Sequence, residues 1–207
     1  MEPLEKLFRD EIADLYDAEQ QILKALPKMI EAVSAPQLRT ALEQHRKATE
    51  GQVKRLEQIF QAEGKPSPKK CKGMAGVLAE GEEVLKEDYE GEVLDAAIIG
   101  AAQRVEHYEI AAYGTARAFA EHLGKDEAVE LLQETLDEEK EADELLTQIA
   151  ESQVNLSASE EEGEEEDSDE DSDASSKSGA KSASRSNTNK SRTAKTKASR
   201  SRAKATR

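Results

Sequence analysis

The sequence contains one cysteine, no tryptophan and only 3% aromatic residues. Its single cysteine, Cys71, has no partner in the chain, which excludes an internal disulfide framework. No apolar run approaches the roughly 20 residues that a membrane-spanning helix needs. Residues 1–6 lack the apolar segment of a secretory signal peptide. These absences predict a cytoplasmic protein with no membrane attachment.

The composition favours helices. Alanine, leucine, glutamate, lysine and glutamine, which are abundant here, are strong helix formers. The chain of 207 residues is 36% apolar and 36% charged, with a net charge of −16. This length allows one globular domain of about 150 residues with further segments attached. We therefore expect an all-α domain at residues 1–153.

Four long amphipathic segments carry an apolar stripe at helical spacing. They predict helices at residues 3–33, 37–63, 91–123 and 126–152. The first contains Pro27, which is expected to kink it. Short turns join the first pair and the second pair, so the helices of each pair should be antiparallel. The connection at 64–90 contains a shorter predicted helix, 71–86, and is long enough to cross from one end of a bundle to the other.

The buried stripe of each long helix is apolar at its ends and polar in its middle. The polar positions, in chain order, are Glu19, then His45, Thr49 and Gln52, then Glu106 and Glu109, then Glu139 and Asp143. In an antiparallel bundle the helix midpoints coincide. We therefore expect these side chains to meet in one layer, with apolar layers above and below.

The spacing of these residues repeats. Glu19 and Gln52 are 33 positions apart, and so are Glu106 and Glu139. The two helical hairpins therefore look like equivalent halves.

Buried carboxylates crowded into one layer repel one another by several kcal/mol each. Either some of them are protonated, or cations lie among them. Carboxylate oxygens suit hard metal ions, and imidazole suits iron and zinc. The predicted centre is dinuclear and contains iron, with manganese or zinc as alternatives. Its predicted ligands are Glu19, His45, Glu106, Glu109, Glu139 and Asp143. The other interpretation is a hydrogen-bonded polar core that fixes the register of the helices.

Four segments resemble the YciE/YciF family of ferritin-like bacterial proteins. They read LYDAEQQ at 15–21, HRKATEGQVKRLE at 45–57, MAGVLAEGEE at 74–83 and EEKEADE at 138–144. The resemblance covers about residues 3–152. It implies an antiparallel ferritin-like four-helix bundle with one crossover, a homodimer, and an association with stress responses. The family has no established reaction.

The sequence departs from the ferritin pattern in its second long helix. Di-iron bundles of that type place Glu-x-x-His on two helices. Here Thr49 and Gln52 occupy the stripe, and His45 is its only histidine. Enough oxygen ligands remain for a metal, but ferroxidase or oxygenase activity is less well supported, and no catalytic residue is assigned.

Several other residues have simpler expected roles. Gln52 is expected to contact a ligand side chain rather than the metal. Tyr113 is expected in the core, with its hydroxyl near a ligand, whereas His107 and His122 fall off the stripe and are expected at the surface. Cys71 is expected to be a free thiol without a role in a mobile connection.

Residues 154–207 have no periodic apolar positions and are expected to be disordered. Residues 160–173 contain 11 acidic residues, and 177–207 contain 11 lysines and arginines and no acid. A basic arm of this kind binds nucleic acid through the phosphate backbone. The alternative is a solvated tail without a partner.

Two functions remain open from the sequence. In the first, a stress-associated protein holds a dinuclear metal centre that reacts with peroxide or dioxygen. In the second, a non-enzymatic structural bundle uses its basic tail to bind DNA or a partner.

Overall fold

The structure is a computed structural model that describes residues 3–65, 67–155 and 157. Within these residues it contains five α-helices, one π-helical segment and no β-strand. The helices are α1 (Pro3–Ala32), α2 (Pro36–Glu63), α3 (Lys72–Val84), α4 (Gly91–His122) and α5 (Asp126–Ile149), and the π-helical segment is Ala150–Val154. The all-α prediction is confirmed.

The helices begin and end within about three residues of the predicted positions. Helix α1 continues through Pro27 to its end at Ala32. Helix α2 starts at Pro36, because proline is tolerated at a first helical position, where its missing N–H would have no partner. Gly64 and Gly124 follow α2 and the end of α4 with positive φ angles of 82° and 68°, a conformation that favours glycine.

The four long helices pack as two hairpins set side by side. Helix α1 packs on α2, and α4 packs on α5, while α2 contacts α5 and α1 contacts α4. The crossover helix α3 packs on α4 and α1. It therefore covers the α1–α4 side of the assembly, and in the described part of the chain it has no extensive contact with α2 or α5.

A buried carboxylate joins the two hairpins at one end. Asp95 of α4 is fully buried. Its Oδ1 accepts the backbone N–H of Ser34 at 2.8 Å, and its Oδ2 accepts that of Ala35 at 2.7 Å. These two donors lie in the turn between α1 and α2, so the side chain holds that turn against α4.

The core consists of two apolar clusters separated by polar residues. One contains Ile22, Leu42 and Leu146. The other contains Leu15, Leu56 and Leu136. The buried polar side chains between them are Glu19, Thr49, Gln52, Glu106, Glu109 and Glu139. The expected polar layer between two apolar layers is thus confirmed.

Cys71 is a free thiol, as expected, but the expectation that it has no role is wrong. Its side chain is fully buried as a free thiol. Its Sγ accepts the backbone N–H of Met74 at 3.4 Å and so caps the start of α3. The same Sγ lies 3.0 Å from the hydroxyl of Tyr108 on α4. The thiol therefore helps to dock the crossover on the bundle.

Two further predictions concern the C-terminal tail and membrane attachment. The expected disordered tail, with its acidic and basic stretches, lies outside the described residues. Among the helices that the structure does describe, none is both long and apolar enough to cross a membrane.

Candidate metal centre

Four side chains from three helices converge in the polar layer. His45 comes from α2, Glu106 and Glu109 from α4, and Glu139 from α5. One ligand atom of each lies within 4.8 Å of those of the other three. Glu106 and Glu109 share one face of α4, because residues three apart are neighbours on a helix. These four residues are called the ligand cluster below.

The ligand cluster is buried but has unsatisfied acceptors. Glu109 and Glu139 are fully buried, and Glu106 is 2% exposed. As carboxylates, both oxygens of Glu109 and one each of Glu106 and Glu139 accept no hydrogen bond from the described residues. Only a shared proton would pair them, between Glu106 and Glu139 and between Glu109 and Glu19. His45 Nε2 also has no hydrogen bond and lies 3.5 Å from Glu106 Oε1. Folded proteins rarely leave buried polar atoms without partners, so this arrangement requires an explanation.

Glu19 of α1 lies beside the ligand cluster. It is fully buried, and its Oε1 accepts a hydrogen bond from the hydroxyl of Tyr113. Its Oε2 has no partner among the described residues. Tyr113 is itself fully buried, as expected for a core residue with its hydroxyl near a ligand.

Burial makes the ionised form of these carboxyls less stable than it is in water. Burial, together with the charge of Glu139, raises the pKa of Glu19 to about 8. Burial also raises the pKa of Glu139 to about 7 and those of Glu106 and Glu109 well above their usual range. Burial lowers the pKa of His45 to about 4, so its imidazole is neutral at pH 7.

Gln52 of α2 contacts the ligand cluster as a donor, in agreement with its expected supporting role. Its Nε2 donates to Glu139 Oε1 and, at 3.1 Å, to Glu138 Oε2. The amide thereby orients Glu139 while leaving the other oxygen of that carboxylate free.

Sequence reasoning missed two residues that support this contact, Arg55 and Glu138. Arg55 donates from Nη2 to Glu138 and from Nε to Thr135 Oγ1 at 2.9 Å. Its charge also counteracts the rise in the pKa values of Glu19 and Glu139. Arg55 is three positions after Gln52, so the helical spacing could have indicated it, but Arg55 and Glu138 themselves lie off the buried stripe.

Asp143 lies outside the ligand cluster, although it was predicted as a ligand. Its Oδ1 accepts from Gln103 at 3.1 Å, and its Oδ2 is 3.1 Å from His107 Nε2. Its charge still reaches the site, because it contributes to the raised pKa of Glu106. His107 is largely exposed, as expected. The structure therefore brings four of the six predicted ligands within 4.8 Å of one another, with Glu19 beside them and Asp143 outside the cluster.

Comparison with known proteins places the chain in a family. Residues 3–159 match the family described as "Domain of unknown function (DUF892)". The chain is also 43% identical to the protein YciF of Escherichia coli K12 over 160 residues, which cover 76% of this chain and 96% of YciF. The chain belongs to the DUF892 family. The resemblance to the YciE/YciF family is confirmed.

Three solved structures share the fold of this chain. The crystal structure of the E. coli stress protein YciF superposes with a TM-score of 0.71 at 43% identity, covering 75% of this chain and 99% of YciF. YcfI from Rhodopseudomonas palustris gives 0.69 at 45% identity, covering 71% and 94%. A protein of Xanthomonas campestris gives 0.62 at 19% identity, covering 77% and 99%, which is a similarity of fold alone.

The donor set of this DUF892 chain fits a metal ion. Carboxylate oxygens and a neutral imidazole are ligands for iron, manganese and zinc. The unpartnered carboxylate oxygens need a positive charge nearby, and the described side chains of the layer provide only part of it. A bound cation would provide the rest. The buried cluster of His45 and three glutamates could therefore hold a metal ion.

Proposed function

We propose that this protein holds a dinuclear metal centre, with iron as its metal, inside a ferritin-like four-helix bundle. The observation that carries the proposal is the group of unpartnered oxygen and nitrogen atoms in the ligand cluster and on Glu19. In a purely structural polar layer, shared protons would pair Glu106 with Glu139 and Glu109 with Glu19. His45 Nε2 would still have no hydrogen bond, and a half-satisfied buried network is unfavourable, which favours the metal.

Five residues would hold the proposed centre. The ligand atoms of His45, Glu106, Glu109 and Glu139 lie within 4.8 Å of one another. Glu19 would add a further carboxylate, since it interacts electrostatically with both Glu109 and Glu139. Asp143 remains a candidate ligand at the edge of the site.

The chain's own groups would set the properties of the centre. Bound iron would supply the redox chemistry with peroxide or dioxygen that these side chains cannot perform. Gln52 orients Glu139, and Tyr113 orients Glu19, so two ligands are fixed before any ion arrives. The two apolar clusters on either side of the layer limit the access of water from above and below.

The test compares metal content between variants. Glu106→Gln and Glu139→Gln each remove one charge from the ligand cluster with little change in shape. Each should lower bound iron by at least half after anaerobic ferrous loading, as measured by mass spectrometry. Glu130→Gln, at an exposed position of α5, is the matched control and should retain the wild-type content. Equal metal content in all four proteins would contradict the proposal.

The relatives support a biological setting. The E. coli protein is described as a stress protein and is 43% identical to this chain. We extend that role, together with a homodimeric state and a cytoplasmic location, to this chain as part of the proposal. Measurement of its abundance before and after osmotic or oxidative stress tests the first point, and sedimentation velocity tests the second.

A second candidate function follows from the separation of charge in the tail. Eleven basic residues without an acid at 177–207 suit phosphate backbones, so the tail would bind DNA without sequence preference. Deletion of residues 155–207 should abolish a gel shift with duplex DNA, and added salt should weaken the shift of the full chain steeply. An unchanged shift after deletion would remove the tail from the account.

A further inference from the structure

A cavity of about 220 Å³ opens between α2 and α5. It lies on the side of the helical assembly away from the crossover helix α3. Two members of the ligand cluster, His45 and Glu106, line it. His45 Nε2 and Glu106 Oε2 are buried atoms without hydrogen-bond partners among the described residues. The cavity therefore leads from the surface to the proposed metal centre.

The walls of this cavity are mostly apolar and include Leu42, Ala48, Ala142 and Leu146. Gln44, Glu138 and Glu141 add polar groups to the lining. The volume exceeds what a single ion or a diatomic molecule needs. These features suit a small organic molecule with a hydrocarbon part and one polar end.

The charge balance of the proposed centre indicates which polar group the bound molecule should carry. Two divalent ions carry four positive charges, which the carboxylates of Glu19, Glu106, Glu109 and Glu139 balance. Two further carboxylates line the cavity: Glu138 is paired with Arg55, and Glu141 is exposed to solvent, so neither adds a buried unpaired charge. An added ammonium or carboxylate group would therefore bring an uncompensated charge into a buried site. A neutral hydroxyl-type group avoids this cost, and it can both donate and accept hydrogen bonds.

We propose that the cavity between α2 and α5 is a binding site for a small neutral molecule whose hydroxyl or hydroperoxyl group lies at His45 and Glu106 and whose hydrocarbon part packs on the alanine and leucine walls. The inference rests on the proposed metal centre and deepens it. It assigns the class of molecule that reaches the ions.

Titration of zinc-loaded protein with three probes of equal size tests the inference. Zinc is chosen because it has no redox chemistry. The probes are benzyl alcohol, benzylamine and benzoate, and the measurement follows backbone amide shifts by NMR. Benzyl alcohol should bind with a dissociation constant on the order of 1 mM, as expected for about eight heavy atoms. The charged probes should bind at least tenfold more weakly.

Cavity-filling variants locate the binding. Ala48→Leu and Ala142→Leu place a larger side chain in the cavity and should weaken benzyl alcohol at least tenfold without changing the zinc content. Gly114→Leu is the control, since a Cβ added at Gly114 meets no atom within 4 Å. If neither filling variant folds, nuclear Overhauser effects from the benzyl ring to the methyl groups of Leu42 and Leu146 in the wild type serve the same purpose.

The outcomes separate this inference from the proposed function. Zinc uptake without benzyl alcohol binding, or binding that neither filling variant affects, overturns the cavity assignment and leaves the metal centre standing. A lack of zinc uptake overturns both. Ala142→Leu could also convert a dimer into monomers and leave the affinity for benzyl alcohol unchanged. That result would show that a second copy of the chain covers the cavity, and it would overturn the inference.

Discussion

Gln52 breaks the symmetry of the polar layer. Gln52 follows Glu19 by 33 positions, just as Glu139 follows Glu106 by 33 positions. The first helical hairpin therefore carries an amide where the second carries a carboxylate. The amide donates to Glu139 and thereby stabilises a charge that burial disfavours. One neutral residue at this place reduces the repulsion that the layer must tolerate before metal binds.

Gln52→Glu should destabilise the metal-free protein. The substitution removes a donor to Glu139 and adds a fifth carboxyl to the polar layer, so we expect a loss of about 2 kcal/mol in the free energy of unfolding at pH 7. Urea unfolding of chelator-treated protein measures it. Gln61→Glu, exposed on the same helix, is the control and should change stability by less than about 0.5 kcal/mol. Equal effects of the two substitutions would show that the position has no special environment.

At the scale of helices, side chains at the turns and caps determine how the elements meet. Asp95 holds the α1–α2 turn against α4 through two backbone donors. Cys71 starts α3 and contacts Tyr108. Gly73 permits this close approach, since a Cβ there would lie 2.6 Å from the Tyr108 ring.

Asp95→Ala should destabilise the protein without changing its metal content. The backbone N–H groups of Ser34 and Ala35 would lose a charged acceptor, at a cost of about 2–3 kcal/mol. The measurement pairs thermal unfolding with metal analysis, and Asp88→Ala, at an exposed position before α4, is the control. A loss of metal with unchanged stability would contradict the structural role assigned to Asp95.

The helices and the polar layer were predictable from sequence because both depend on periodicity. A stripe that is apolar at its ends and carries Glu19 or Glu139 in its middle shows which face of the helix is buried. It also shows how far along the bundle the glutamate lies. Periodicity does not specify rotamers or contacts between side chains. Asp143 lies on the stripe but pairs with Gln103 and His107, and Arg55 lies off the stripe but reaches Glu138. The burial of Cys71 depends on a tyrosine 37 positions away, which no local pattern indicates.

At the scale of the whole molecule, the metal-free protein should be most stable in mild acid. The pKa of Glu19 is raised from 4.5 to about 8, and that of Glu139 from 4.5 to about 7. Their contribution to stability is therefore complete below pH 4.5. It is lost as the pH rises from 4.5 through 7 and 8. The pKa of His45 is lowered from 6.5 to about 4, so its contribution is present above 6.5 and is lost as the pH falls towards 4.

These opposite trends predict a stability maximum near about pH 4.5, because the two glutamates outweigh the single histidine, and a loss on the order of 4 kcal/mol by pH 8. Metal-loaded protein should show the reverse trend above pH 6, because ligands must lose protons to bind the ion. Urea midpoints at pH 5, 6, 7 and 8, with and without manganese, measure both curves. A metal-free protein that is most stable at pH 8 would contradict the account.

The measurement that most directly tests the dinuclear centre is the metal content of the full chain, purified without chelator or metal-affinity steps. Mass spectrometry before and after anaerobic loading with ferrous ion gives the number of irons per chain. The account predicts close to two. No stoichiometric metal after loading would mean that the buried carboxyls of Glu19 and the ligand cluster share protons instead, and the proposed metal centre would be wrong.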